Sequence, residues 1–182
     1  TVGHGLSEGV DLGPMITAAQ RDGIAKLVDD ARKAGATVHT GGEVPEGEGY
    51  FYPATVLSEI PEDAEILREE IFGPVVAITT YSDLDDAIAA ANDTCYGLNS
   101  SIFAAPKTAW KIAPRVQAGS VNINDGYVAG WASIDSPIGG YKESGVSRRH
   151  GAEGLLKYTE PKTIAQQRGF PIWGPRRLPQ KA

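Results

Sequence analysis

Two hydrophobic periods run through the chain, and the switches between them mark its elements. Thr17 with Gln20 three positions later makes a capping-box pattern, after which Ile24, Leu27, Val28 and Ala31 fall on one helical face and Gly35 supplies the stop. The spacing predicts an amphipathic helix between Thr17 and Gly35 and a strand from Ala36 to Thr40. Gly41 to Gly49, rich in glycine and acids, reads as a surface loop before a strand from Tyr50 to Leu57. Pro61, Glu62 and Asp63 suit the first turn of a short helix, because proline lacks an N–H there and acids face the positive end of the dipole.

The second half repeats the alternation. Val75 to Tyr81 is a continuous β-rich run, the pattern of a strand buried on both faces. Ser82 is the expected cap of a helix carrying Leu84, Ile88 and Ala91, which ends near Asn92-Asp93. A turn at Tyr96–Asn99 leads to a strand, Ser100 to Phe103. A helix from Lys107 to Val116 stops at Gly119, and Ser120 to Asn124 is the next strand. Asp125 to Ser136 breaks the rhythm as a long loop with Tyr127 and Trp131, which either borders a ligand at a strand end or folds down as a lid over the core. Arg148 to Tyr158 carries a last helix, Lys162 to Gln167 a last strand, and a proline-rich basic tail follows from Arg168. The expected class is α/β, a mainly parallel open sheet with flanking helices. The expected division is 1–161 for the main unit and 162–182 for a strand and an extended tail that pack on something other than that unit.

Composition narrows the partners. At 182 residues, 41% hydrophobic and 22% charged, the chain has the makings of one ordinary domain. A formal charge of -6 argues against nucleic acid and anionic membranes, since both would repel it. The single cysteine, Cys95, excludes an internal disulfide and fits a reducing compartment, so the cytoplasm is the expected location. His4, His39 and His150 are too scattered for a metal site, and none is expected. Gly3-His4-Gly5 follows no strand and so lacks the setting of a phosphate loop.

Glu69-Glu70-Ile71-Phe72-Gly73-Pro74-Val75 stands out, and taken alone it also reads as an acidic helix end, a core Phe and a turn. Further on come Asn92-x-x-x-Tyr96-Gly97-Leu98 and Ala118-Gly119-x-Val121-x-x-Asn124, then Pro137-x-Gly139-Gly140-x-Lys142-x-Ser144-Gly145 and Tyr158-Thr159-Glu160-x-Lys162. In this order the motifs resemble those of the aldehyde dehydrogenase family, and with Asp11-Leu12-Gly13-Pro14-Met15-Ile16 the resemblance covers nearly all of Thr1 to Gln167. Asn124-Asp125-Gly126, Ser133-Ile134-Asp135-Ser136-Pro137 and Arg148-Arg149-His150-Gly151-Ala152-Glu153-Gly154 are similar to succinic semialdehyde dehydrogenases of an actinobacterial branch.

The resemblance implies the carboxyl-terminal, catalytic-domain portion of an NAD- or NADP-dependent enzyme that oxidises an aldehyde to a carboxylate. It gives Glu70 to a ribose of the nucleotide, Phe72 to packing nearby, and Ser133 to a substrate carboxylate. A carboxylate that only accepts hydrogen bonds suits two vicinal hydroxyls. It places the thiolate nucleophile, the general base and the glycine-rich loop upstream, so that none of the catalytic groups is expected here and the chain is expected to be inactive alone. Cys95 sits at a helix end whose dipole raises a thiol pKa, and is expected to be inert and partly buried. Glu69 is expected to be structural, and Lys142 either bonds backbone carbonyls or is a plain surface charge. In the family the last strand extends a sheet across a subunit boundary, which implies a homo-oligomer. The alternatives are the same fold acting on another aliphatic or aromatic aldehyde, and a short non-catalytic module for binding or assembly.

Overall fold

The computed structural model describes residues 1–166, 168 and 169. Helix α1 (Ala18–Lys33) begins as its sequence dictates: Thr17 Oγ1 accepts from the Gln20 N–H at 3.2 Å, and Gln20 Oε1 accepts from the Ile16 N–H at 3.2 Å. Ile24, Val28 and Ala31 form its buried face, and Leu27 lies at the margin. Gly35, at φ 115°, reverses the chain, so that the Ala36 N–H reaches back to Ala31 O at 3.0 Å.

Strand β1 (Thr37–Thr40) pairs antiparallel with β2 (Thr55–Ser58), which pairs parallel with β3 (Val75–Ala77). Thr55 and Leu57 are buried and their neighbours half-buried, the period of two that turns one face of a strand to the core. That core joins α1 to Tyr52, Leu57, Ile60 and Ile66. Ile24, Val28, Tyr52 and Leu57 are each at most 1% exposed, and a fully buried side chain of this kind contributes roughly 2 kcal/mol.

Beyond β3 come α2 (Leu84–Asn92), β4 (Tyr96–Gly97), β5 (Asn99–Ile102), α3 (Pro106–Ile112) and β6 (Ser120–Ile123). They are followed by α4 (Val128–Ala132), β7 (Tyr141–Lys142) and α5 (Gly151–Leu156). Strands β5 and β6 lie parallel with α3 as the crossover, while β4 pairs antiparallel with β7.

The α/β class holds, and the strands divide among three small sheets. Parallel neighbours need a long crossover, and β5–α3–β6 has one; the 41–54 connection contains no helix, and β2 returns antiparallel to β1. Several boundaries move. The run from Tyr50 contributes a strand only from Thr55, and the Pro61 segment forms a 3-10 turn at Glu65–Leu67 rather than an α-helix. β3 is three residues long with Val76 56% exposed, because β2 covers one edge and the core only one face. Asp83, not Ser82, caps α2, its carboxylate accepting from the N–H groups of Asp85 and Asp86. The long loop after β6 holds the short helix α4. Lys162 to Gln166 form no strand within the chain, while Gln167 and the tail from Phe170 lie outside the described residues. Among the described residues no helix is long and apolar enough to cross a membrane.

Candidate active-site edge

The loop from Glu69 to Pro74 is held from both sides. Ile71 packs on the core, and the Thr55 N–H of β2 donates to Pro74 O at 2.8 Å. Gly73 lies against α1 so closely that a Cβ there would sit 2.4 Å from Ile24 Cδ1. Gln20 Nε2 donates to Phe72 O at 2.6 Å, and Phe72 has the left-handed φ of 48°. With Ile71 turned to the core and Gly73 against α1, Phe72 is left 70% exposed, so it is a presented ring and not a core residue.

Glu70, also exposed, borders a cleft of about 500 Å³. Tyr96, Leu98 and Ser100 line it from β4 and β5, Gln117 from the turn before β6, and Glu143 and Ser144 from the turn after β7. Phe72 opens instead onto a shallower groove of about 380 Å³ with Leu12, Met15, Ile16 and Pro74. The two residues thus share a loop and face different concavities, and Ser133 borders neither.

The motif residues fasten together the elements around the cleft. Lys142 Nζ donates to the carbonyls of Asn92 at 2.7 Å and Thr94 at 3.0 Å, where the end of α2 concentrates negative partial charge. This settles the two readings of Lys142 in favour of the backbone contact. Arg68 adds a second cation, bonding Asp93 O at 3.1 Å and the Asp93 carboxylate at 2.6 Å. Asn92 donates to Arg115 O at 2.9 Å and accepts from the Gln117 N–H at 2.8 Å, joining α2 to the segment between α3 and β6. The Gly97 N–H donates to Ser144 Oγ at 3.0 Å, and the Glu143 N–H to Cys95 O at 3.0 Å. A Cβ on Gly119 would fall 1.6 Å from Gly139 O, so the chain crosses here only as glycine.

Cys95 is exposed, which corrects its expected partial burial, and it shares a separate concavity of about 440 Å³ with Arg68, Glu69 and Lys142. Beside it the Tyr96 phenol is held above its ordinary pKa, first by the electrostatics of the neighbouring Cys95 and then by burial.

On the other side of β6, Asn124 takes a left-handed φ of 53° and pairs through both ends of its amide with the Ala104 main chain, each bond 2.9 Å. Asp125 Oδ2 accepts from the Ala129 N–H at 3.2 Å as α4 begins. Tyr127 and Trp131 lie 5.6 Å apart along α4, and Ser133 follows it with its hydroxyl 2.7 Å from that of Ser136. Sequence patterns missed Gln20 as the partner of Phe72, Arg68, and His150 as a neighbour of Trp131. Only Gln20 carried a local signal, its place in the capping box.

The loop from Glu69 to Pro74 thus presents Glu70 over a cleft at the amino-terminal ends of the parallel strands β5 and β6. Residues 1–164 match the model of the aldehyde dehydrogenase family, and the chain belongs to that family. It is 45% identical over 172 residues to a Mycobacterium tuberculosis protein named "Putative succinate-semialdehyde dehydrogenase [NADP(+)] 2", covering 93% of this chain and 33% of that protein. It is 44% identical to an aldehyde dehydrogenase of Paenarthrobacter nicotinovorans, covering 89% of this chain and 35% of the relative. The fold superposes on a Mycobacterium tuberculosis aldehyde dehydrogenase complexed with NAD+ at a TM-score of 0.83 and 34% identity, covering 94% of this chain and 35% of the other. An NAD+ complex of a Bacillus cereus aldehyde dehydrogenase gives 0.80 at 34% identity, covering 88% and 32% of the two chains. The chain thus spans about a third of the length of the curated relatives it matches.

Proposed function

We propose that this chain forms the nucleotide-ribose edge and one wall of the aldehyde pocket in an NAD(P)-dependent aldehyde dehydrogenase, with succinic semialdehyde as its substrate. The observation that carries the reading is Glu70, a carboxylate without a hydrogen-bond partner among the described residues, presented over a cleft by a loop fastened to α1 and β2. An acceptor-only group in that place fits a pair of ribose hydroxyls. Phe72 offers an exposed apolar face on the same loop, suited to the uncharged side of the nucleotide.

NAD or NADP, when bound, supplies the hydride acceptor. The residues of this chain bind and orient. Glu70 accepts from the ribose, and the Lys142 contact fastens β7 to the end of α2, whose neighbouring turns line the cleft. Ser133 and Ser136 form a hydroxyl pair in which one O–H is spent on the partner and the other remains to donate to an anionic oxygen. That chemistry favours an aldehyde with a distal carboxylate, in accord with the name of the mycobacterial relative. No residue here is assigned as nucleophile or general base. The intact enzyme is placed in the cytoplasm, as a homo-oligomer joined through the segment from Lys162, whose backbone up to Gln166 is left without strand pairing in the single chain.

A second reading keeps the reaction and changes the substrate. Tyr127 and Trp131 are 45% and 52% exposed beside Ser133, and their rings would also suit an aromatic aldehyde. The experiment is steady-state oxidation of succinic semialdehyde, butanal and benzaldehyde by the intact enzyme that carries this chain, with NAD and with NADP. A preference for the charged aldehyde is expected. A preference for benzaldehyde transfers the assignment to the second reading, and no oxidation of any aldehyde overturns both.

A further inference from the structure

The wall that carries Ser133 is tied down on both sides of a single imidazole. Ile138 and Arg149 form an antiparallel bridge, the Ile138 N–H donating at 2.8 Å and the Arg149 N–H returning at 2.6 Å. Two residues past Arg149, the Gly151 N–H donates to Ile134 O at 2.8 Å. Between these ties His150 has φ 63° with ψ 166°, a region that glycine adopts far more readily than other residues, and Gly151 follows at φ 58°. The reversal brings the His150 ring to 5.6 Å from Trp131, centroid to centroid, with the planes inclined by 55°. It also brings Gly151 so near the wall that a Cβ would lie 2.8 Å from Asp135 O. His150 Nδ1 is buried and has no hydrogen-bond partner among the described residues.

A histidine held at such a backbone and an orphaned buried nitrogen both cost free energy. Starting a helix does not require either, for α2 begins from an ordinary extended cap at Asp83, with φ -119°. What the arrangement achieves is a fixed ring under Trp131. Ser133 follows α4 by one residue, its N–H turned back to Gly130 O at 3.4 Å, so the position of Trp131 within the helix sets that of the serine pair.

We propose that His150 is a positioning residue for substrate selection: its imidazole buttresses Trp131 and thereby holds Ser133 and Ser136 toward the distal carboxylate of a short aldehyde. The proposal rests on the assignment of Ser133 made above.

The test uses the intact enzyme and the ratio of kcat/KM for succinic semialdehyde to that for butanal. His150→Asn removes the ring at a backbone, φ 63° and ψ 166°, that strains asparagine and histidine alike. It is expected to lower the ratio about tenfold through the KM for the semialdehyde, with the nucleotide KM within about twofold as a report of intact folding. His150→Gly, which accepts that backbone without strain, is expected to do the same. If His150 acts through Trp131, the double variant with Trp131→Ala loses no more than Trp131→Ala alone. An unchanged ratio in both His150 variants, or losses that multiply in the double variant, overturns the proposal. Ser133→Ala separates the two levels. If it lowers the ratio while the His150 variants do not, only the buttress falls; if it leaves the ratio unchanged, the carboxylate assignment falls and the buttress with it.

Discussion

The ammonium of Lys142 lies 2.7 Å from the carbonyl oxygen of Asn92, fifty residues earlier in the chain, and so closes the end of α2 against β7. Sequence alone leaves such a lysine indistinguishable from a surface charge, because both the helix end and the strand turn must be in place before the contact exists. Lys142 itself has a positive φ of 53°.

Replacing Lys142 by Asn keeps a residue tolerant of that backbone and removes the ammonium. The expected loss is about 1 kcal/mol, the scale of a charge-assisted bond at an exposed helix end. Thermal denaturation of the intact protein should show a midpoint lowered by a few degrees. An unchanged midpoint would mean the contact contributes nothing to stability.

Two glycines should respond in opposite directions to alanine. At Gly119 the new Cβ would meet Gly139 O at 1.6 Å, backbone against backbone, and Gly119→Ala is expected to abolish soluble folded protein. Gly23 lies in α1 with nothing within 4 Å of where a methyl would stand, and Gly23→Ala should stabilise by roughly 0.5–1 kcal/mol. Soluble yield and melting temperature read both.

Tyr52 is fully buried, and its hydroxyl has no hydrogen-bond partner among the described residues. Burial, the leading cause, raises its phenol pKa above the ordinary value. Below about pH 10 the phenol is neutral in folded and unfolded chains alike; above it the unfolded chain ionises first, and stability falls as pH rises. Tyr52→Phe should remove that alkaline loss and, by deleting an unsatisfied group, cost little or no stability at neutral pH. Chemical denaturation at pH 7 and at alkaline pH, wild type against variant, is the measurement.

How far the sequence can be read follows from the range of the interactions. Helix α1 is legible from cap to stop because Thr17, Gln20 and Gly35 act within a turn or two of themselves. Cap choice between Ser82 and Asp83 is not, since both are good caps and only the main-chain geometry decides. β3 reads as an interior strand from composition, yet only one of its faces is packed, because its burial depends on what lies beyond β2 and the core. Glu70 and Phe72 can be marked as a loop, but their divergence onto separate concavities comes from Gln20 and Ile24 on a distant helix. His150 reads in the sequence as one of three scattered histidines, and its partner Trp131 is 5.6 Å away only because two successive residues of positive φ turn the chain.

The central claim is that Glu70 holds the nucleotide, and Glu70→Gln tests it most directly. The amide keeps the size of the side chain and gives up the charge and one acceptor. In the intact enzyme we expect the KM for the nucleotide to rise or the turnover to fall, by about tenfold, the scale of one lost charge-assisted hydrogen bond. A nucleotide KM and a turnover that both equal the wild-type values would contradict a ribose contact at Glu70.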